Sequence, residues 1–215
     1  MSDAAVKRRL KAATAALAEG DPVMRRLVDV HGPCRLGDRR GARTHFEALC
    51  ESVAYQQLAG KAAAAIYARL CSALGGEPTP EAVLKLSEPG LRAAGLSGSK
   101  ARCVLALAER AVSGELPLHD VDGLGDDELV TRLSAVPGIG RWTAEMFLIF
   151  QLRRLDVWPV GDYGVRKGYA RAYGLEDLPA PKELSGLGEP FRPYRSVAAW
   201  YCWRATDAVV PAGRA

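Results

Sequence analysis

The feature that most constrains the fold is a succession of helical patterns, each ended by glycine or proline. Apolar residues recur at helical spacing, and no useful stretch alternates polar and apolar residues as a strand would. The clearest helix starts at Thr44, where Thr44 and Glu47 have the spacing of a capping box. Its apolar stripe continues to Leu58. We therefore predict an all-α fold.

The same punctuation predicts further helices along the chain. They are expected at residues 4–19, residues 61–74, from Thr79-Pro80 onward, from the Gly95–Lys100 turn to about Ser113, residues 126–134, from the cap Asp162 to about Tyr173, and from Pro193 through Asp207. The segment Asp156–Gly161 is predicted to be extended.

Composition narrows the class of protein. With 215 residues, 48% of them hydrophobic, the chain can bury the core of one domain or of two small helical lobes. A net charge of +4 permits nucleic-acid binding without establishing it. The five cysteines stand singly, which argues against a metal–sulfur site and predicts reduced thiols. Since no segment resembles a signal peptide or membrane span, we expect a cytoplasmic protein that does not bind membranes.

The most informative local pattern is the turn Val136–Gly140, which is followed at once by Arg141 and a helical pattern. Backbone N–H groups at the start of a helix suit a phosphate. Gly138 and Gly140 permit positive φ and close approach of a phosphodiester, and Ile139 can anchor the turn in the core. Such contacts would be independent of base sequence. A plain helix–helix turn is the alternative interpretation.

Wider segments carry a resemblance to a known family. LSAVPGIGRWTAEMFLIF, residues 133–150, closely resembles the hairpin of the helix-hairpin-helix DNA glycosylases. VGDYGVRKG places Asp162 at 22 positions after Gly140, where that superfamily carries a catalytic aspartate. SVAYQQLAGKAAAAI, GLSGSKAR and PYRSVAAWYCWR extend the resemblance over residues 44–207, to compact members of the 3-methyladenine DNA glycosylase II branch. It implies that residues 1–215 form one domain of two helical lobes with a DNA-binding cleft.

The resemblance implies base excision repair by a monofunctional DNA glycosylase. Such an enzyme flips an alkylated purine, such as 3-methyladenine or 7-methylguanine, out of duplex DNA and hydrolyses its N-glycosidic bond. Asp162 would stabilise the positive charge that develops on the sugar and orient water. By position alone, an ordinary helix N-cap is the favoured interpretation of Asp162. The spacing from the hairpin and the resemblance favour the catalytic role, and one residue can do both. Because a cationic purine is already a good leaving group, one carboxylate can suffice.

The resemblance also assigns residues to the flipped base and to the gap that it leaves. Trp142 and Trp203 match aromatic pocket positions, with Met146 as a softer wall, although tryptophans more often fill helical cores. Gln57 and Leu58 match the insertion loop that fills the gap in the base stack. Leu58 also continues the apolar stripe of its helix, which would bury it.

Contacts to the DNA backbone are expected from the hairpin residues Gly138, Ile139, Gly140 and Arg141. Further charged candidates are Lys61, Lys100, Arg166 and Arg195. The resemblance implies a monovalent cation, Na⁺ or K⁺, on the backbone carbonyls of Ser134, Val136 and Ile139. No other cofactor is required.

Trp142 follows Gly-Ile-Gly-Arg, where family members with strand-cleaving lyase activity carry a lysine, so we predict no such activity. The expected partner is double-stranded DNA containing damaged bases, and we expect a monomer. An iron–sulfur glycosylase is disfavoured because only Cys202 lies after the catalytic region. A non-catalytic helix-hairpin-helix module, which would not require Asp162, and a glycosylase for another damaged base remain as alternatives. Selectivity among lesions depends on distances of about an ångström that no motif encodes.

Overall fold

A computed structural model of the chain describes residues 3–36, 43–58, 60–121 and 123–207. Within these ranges the secondary structure consists of helices and turns, without a strand, and the all-α prediction is confirmed. No helix of this part of the chain combines the length and the hydropathy needed to cross a bilayer.

Eleven α-helices are present in the described ranges. They are α1 (Asp3–Gly20), α2 (Pro22–His31), α3 (His45–Tyr55), α4 (Gly60–Leu74), α5 (Pro80–Ala93), α6 (Gly98–Ser113), α7 (Asp126–Ser134), α8 (Arg141–Met146), α9 (Tyr163–Tyr173), α10 (Pro181–Leu187) and α11 (Arg195–Asp207). A π-helical segment, π1 (Phe147–Gln151), continues α8, and a 3₁₀ turn, η1 (Glu189–Phe191), precedes α11.

The helices form two compact units. One unit comprises α1, α2 and the described chain from residue 148 onward, and the other comprises the described residues from 43 to 147. In the first, α11 packs against α9 and α2; in the second, α6 packs against α5 and α3, and α7 packs against α8. Each unit has an apolar interior. Fully buried side chains of the first unit include Ile149, Val165, Val197 and Tyr201. Those of the second unit include Leu49, Leu91, Leu107 and Leu133.

Side-chain caps fix the helix starts that the sequence predicted. The hydroxyl of Thr44 accepts the Glu47 N–H at 3.1 Å, and Asp162 caps α9 in the same way. Only half of the predicted capping box forms at α3, because the buried Glu47 carboxylate is turned to Arg43 and to the Tyr67 hydroxyl instead. The helix α2 was not predicted from the sequence; Asp21 caps it through two backbone N–H groups.

The predicted start of the last helix is wrong in detail. Pro193 does not open the last helix; it lies in a turn in which the Tyr194 N–H donates to the Phe191 carbonyl at 2.7 Å, and α11 begins two residues later. The segment 156–161, which the sequence predicted to be extended, contains no helix and ends in a turn that the Asp162 N–H closes on the Pro159 carbonyl at 2.9 Å. Both turns are closed by hydrogen bonds between residues three apart, and helical periodicity does not register such turns.

The packing of α9 on α11 positions the candidate site, and Gly168 makes it possible. A Cβ atom at Gly168 would overlap the backbone carbonyl of Cys202, so the two helix backbones approach without a side chain between them. Asp162 caps α9 on one side of this contact, and Trp203 follows Cys202 on the other. The spacing of the two helices therefore depends on a backbone contact.

We predict that Gly168→Ala destabilises the fold by about 3 kcal/mol, at the upper end of overpacking costs, because the obstacle is backbone and cannot rotate away. Chemical denaturation measures the change in the free energy of unfolding. The matched control is Gly186→Ala in α10, where an added Cβ meets nothing within 4 Å. Equal stability of the two variants would contradict the prediction.

Candidate active site and DNA-contacting surface

Asp162 is both a helix cap and the central group of the candidate active site. Its Oδ1 accepts the Val165 N–H at 2.8 Å and the indole N–H of Trp203 at 2.9 Å. The residue is buried, with 8% of its surface exposed. Two donors from two different helices thus fix the carboxylate plane. The two interpretations that the sequence left open, cap and reactive group, are compatible at this one position.

The chain before Asp162 is also firmly held. The Val157 N–H donates to the Ser196 hydroxyl at 2.9 Å, and that hydroxyl donates back to the Val157 carbonyl. The Trp158 indole is buried and donates to the Leu184 carbonyl at 2.7 Å. Trp158 therefore fills the core and anchors the segment that delivers the aspartate.

Trp203 stacks on Phe150, with ring centroids 5.5 Å apart and planes inclined by 25°. A Cβ at Gly164 would lie 2.9 Å from the Trp203 ring and 3.1 Å from Asp162 Oδ1, so this glycine lets the indole and the carboxylate meet. Phe150 thus covers one face of the indole, while Trp203 as a whole is only partly buried. This arrangement differs from a tryptophan surrounded by core residues.

Phe150 and Tyr163 were not predicted as site residues. Both are exposed aromatic residues, at 46% and 63% of their surface, and they lie beside the two assigned residues. One signal was available for Phe150: four consecutive apolar residues, 147–150, are more than one face of a helix can bury. The π-helical segment then decides which of the four is exposed, and neither capping nor periodicity locates such a segment.

The predicted hairpin is present in the second unit. Val136 and Ile139 are buried, so the turn is anchored as expected. Gly138 has φ of +94°, and a Cβ there would lie 3.0 Å from the Cys103 side chain, so both backbone conformation and space require glycine. For Gly140 the expectation of positive φ is wrong: its φ is −85°, and it is the N-cap of α8, with no side-chain hydrogen bond capping the helix.

The residues after the hairpin lie on α8. Arg141 is largely exposed, and its Nε donates to the buried Glu145 carboxylate at 2.8 Å, which fixes the direction of the guanidinium. Trp142 is half exposed, at 50%, and Met146, one turn later, is partly buried. An indole so exposed is not a core residue of its unit.

Gln57 and Leu58 lie in the turn that follows α3. The helix ends at Tyr55, so Leu58 leaves the apolar stripe that the sequence suggested it continues. Leu58 is 40% exposed, and Gln57 adopts a φ of +55°, which is uncommon for a residue other than glycine. The expectation that the stripe buries Leu58 is therefore wrong.

Three of the four additional charged candidates have partners within the protein. The Lys100 ammonium donates to two carbonyls, the Arg166 Nε donates to the Pro179 carbonyl, and Arg195 is paired with Asp156. Lys61 is exposed at the start of α4. Contacts within the protein thus determine which of these charged side chains already have partners, and the sequence alone does not reveal those contacts.

In the part of the chain that the structure describes, no group of three or more His, Cys, Asp and Glu side chains could hold a metal ion. Burial raises the pKa of Cys103 to about 11, which keeps that thiol protonated at neutral pH. The ligand set of an iron–sulfur glycosylase is therefore not found in these ranges.

A model of the HhH-GPD superfamily, described as base excision DNA repair proteins, matches residues 50–193 and so includes the hairpin and Asp162. The chain belongs to this superfamily. Trp203 lies beyond the matched range, so its assignment depends on its contact with Asp162 rather than on the family match.

Relatives of this HhH-GPD protein carry consistent names. DNA-3-methyladenine glycosylase 1 of Schizosaccharomyces pombe is 37% identical over 86% of this chain and 83% of its own length. A solved structure of a 3-methyladenine DNA glycosylase from that yeast, in complex with abasic DNA, has a TM-score of 0.76 at 35% identity and covers 92% of this chain and 98% of the other. A DNA-3-methyladenine glycosidase of Bacillus halodurans has a TM-score of 0.80 at 34% identity, over 88% of this chain and 86% of the other.

Proposed function

We propose that this chain is a DNA glycosylase that removes alkylated purines from double-stranded DNA in base excision repair. The proposal is supported by the family match over residues 50–193 and by relatives named as 3-methyladenine DNA glycosylases. The observation that carries it is the Asp162 carboxylate, which is held by two donors beside exposed aromatic rings. A binding module would not require such an aspartate.

Asp162 acts on the sugar. As the N-glycosidic bond breaks, its electron pair leaves with the purine, and positive charge develops around C1′. The carboxylate stabilises this charge and orients the water whose oxygen bonds to C1′, and the water's proton is lost through the carboxylate. Because the backbone of α9 and the Trp203 indole already fix Oδ1, the carboxylate need not reorganise during the reaction.

An alkylated purine such as 3-methyladenine or 7-methylguanine carries positive charge, so its departure needs no dedicated general acid. The same charge makes it a good ligand for electron-rich rings. In the first unit the face of Trp203 that Phe150 does not cover suits such a base. Trp142 and Met146 stay proposed as base-contacting residues, since Trp142 is half exposed on α8.

Asp162→Asn provides the sharpest test of the mechanism. The asparagine carbonyl can accept both hydrogen bonds that Oδ1 now accepts, so the fold and the cap should persist while the charge is lost. We expect base release from methylated duplex DNA to fall by at least about 100-fold, as when a transition-state electrostatic group is removed. Single-turnover base release and thermal unfolding measure the two effects.

Asp177→Asn, at an exposed loop position, is the matched control and should keep full activity. If Asp162→Asn released bases at the control rate, the proposed mechanism would be wrong. A panel of oligonucleotides with alkylated and deaminated bases would then define the lesion range of the wild-type chain.

Trp203 is proposed to have two roles, as a wall for the base and as a donor to the carboxylate. Trp203→Phe preserves a ring and deletes the donor, so excision should fall by about 10- to 100-fold, the value of a hydrogen bond to a charged group. Binding of DNA with an abasic-site analogue should change little. Trp200→Phe on the same helix is the control, and a similar loss in both variants would indicate a merely structural role.

We also propose that this glycosylase lacks lyase activity. The supporting observation is Trp142, which stands where lyase-active members of the family carry a lysine. Strand cleavage by a glycosylase needs an amine that attacks C1′ and forms a Schiff base, and an indole cannot do this. We expect no covalent protein–DNA adduct when the protein, a lesion-containing duplex and borohydride are mixed. A bifunctional glycosylase serves as the positive control, and a trapped adduct would disprove this part of the proposal.

We propose that the hairpin binds the DNA backbone and that the turn after α3 fills the gap left in the base stack. Gly138 and Gly140 would bring backbone N–H groups to a phosphate, with the exposed Arg141 guanidinium beside them. The expected contact from the Ile139 N–H is wrong, because that group donates to the Val136 carbonyl and Ile139 is buried. Leu58 would enter the base stack where the lesion is extruded, with Gln57 facing the unpaired partner base. The exposure of both residues supports this role.

A monovalent cation, Na⁺ or K⁺, is proposed at the carbonyls of Ser134, Val136 and Ile139. Ser134 ends α7 and the other two residues follow it, so the three oxygens lie where the helix dipole favours positive charge, and carbonyl oxygens suit hard cations. When bound, the cation would supply positive charge near a DNA phosphate. The turn does not depend on the cation for its formation, because the Val136 carbonyl also accepts the Ile139 N–H at 3.0 Å.

We further propose a monomer in the cytoplasm. One active site serves one lesion, so the reaction needs no second subunit. All five cysteines lie within the described ranges as free thiols, which supports a reducing location.

A further inference from the structure

The turn formed by Gln56, Gln57 and Leu58, which we call the insertion turn, is held by a lysine distant in sequence. The Lys100 ammonium donates to the Ala54 carbonyl and to the Gln56 carbonyl, both at 2.8 Å. These carbonyls belong to the end of α3, where backbone acceptors lose their helical partners. A cation at this end also complements the helix dipole.

The start of α6 explains why Lys100 reaches this turn. Ser97 caps α6 and accepts the Lys100 N–H at 3.3 Å, which places Lys100 in the first helical turn. Burial lowers the pKa of Lys100 below its ordinary value, and the two carbonyl contacts oppose that cost by stabilising the ammonium. A lysine that only contacts DNA phosphates would be expected to extend into solvent instead.

A second contact joins the insertion turn to the hairpin. The Gln56 side-chain N–H donates to the Gly138 carbonyl at 3.1 Å. Cys103, which is one turn after Lys100 on the same face of α6, packs where a Cβ of Gly138 would be. The helix α6 therefore contacts the insertion turn through Lys100 and the hairpin through Cys103.

We propose that Lys100 and Gln56 are positioning residues that hold the insertion turn in register with the hairpin, so that gripping the strand and filling the gap occur as one event. This inference depends on the proposed insertion role of Leu58. Neither residue touches the reacting atoms. The uncommon φ of Gln57, +55°, is a conformation that persists only when its surroundings support it.

Without these contacts, the insertion turn can adopt other conformations, and only a fraction of molecules would be ready to enter the base stack. The rate on duplex DNA would fall by that fraction. A lesion in single-stranded DNA has no stack to fill, so its excision would not depend on the turn. The ratio of duplex to single-strand rates therefore isolates positioning from chemistry.

The test uses Lys100→Met and Gln56→Met, with Lys85→Met on the exposed surface of α5 as the matched control. Single-turnover release of 7-methylguanine is measured from the same oligonucleotide as a duplex and as a single strand. We expect Lys100→Met to lower the duplex rate by about 10-fold or more, since it removes two charge-assisted hydrogen bonds. Gln56→Met should have a smaller effect in the same direction, and the single-strand rates should remain within about twofold of wild type.

Two results would overturn the inference. Equal losses on duplex and single strand would mean that Lys100 supports the fold or the chemistry in general. The second is a change in how duplex binding depends on salt. If the slope of the logarithm of the binding constant against the logarithm of the salt concentration became smaller by about one for Lys100→Met, Lys100 would be identified as a phosphate contact.

Hydrogen exchange separates this inference from the proposed function. In the protein without DNA, Lys100→Met should accelerate exchange of the Gln57 and Leu58 amides by about 10-fold relative to Lys85→Met. Unchanged exchange would overturn the positioning role even if the glycosylase activity is established. Faster exchange in a chain that releases no base would support the positioning role of Lys100 and refute only the proposed glycosylase activity.

Discussion

The two N–H groups that converge on Oδ1 of Asp162 are the interaction on which the candidate site depends. One belongs to the backbone of α9 at Val165 and the other to the side chain of Trp203 on α11. Forming the first turn of α9 and orienting the Asp162 carboxylate are therefore the same event. A site built in this way needs no loop closure to become ordered, and its geometry is as stable as the packing of the two helices. Gly164 and Gly168 allow that packing, because each is placed where a side chain would collide.

The second unit differs from the first, since the DNA contacts proposed for it come from turns. Turns have few internal constraints, and both the insertion turn and the hairpin are supported by the same helix. α6 supplies Lys100 to the end of α3 and Cys103 to the hairpin. The hairpin also has an internal anchor, because Val136 and Ile139 are buried while the glycines between and after them remain accessible. Backbone groups can thus be presented to a ligand from a supported surface.

Much of the fold could be predicted because its signals are local. Caps such as Thr44 and Thr79 act within three residues, and terminal glycines act within one turn, so the helix bounds followed from short patterns. The hairpin and the spacing of 22 residues from Gly140 to Asp162 were likewise visible in the sequence. The remainder depends on contacts between distant segments. Lys100 binds carbonyls 44 and 46 positions away, and the exposure of Phe150 depends on a π-helical segment that no cap or stripe predicts.

The close approach of Gly168 to the Cys202 carbonyl has a consequence for how such a protein can diversify. Because a main-chain contact sets the distance between α9 and α11, that distance does not depend on which side chains occupy the neighbouring positions. The largely exposed ring of Tyr163 can then be exchanged during evolution or in the laboratory without changing that distance. The frame that carries Asp162 is thus set by main-chain atoms, and variation at exposed side chains beside it leaves that frame intact.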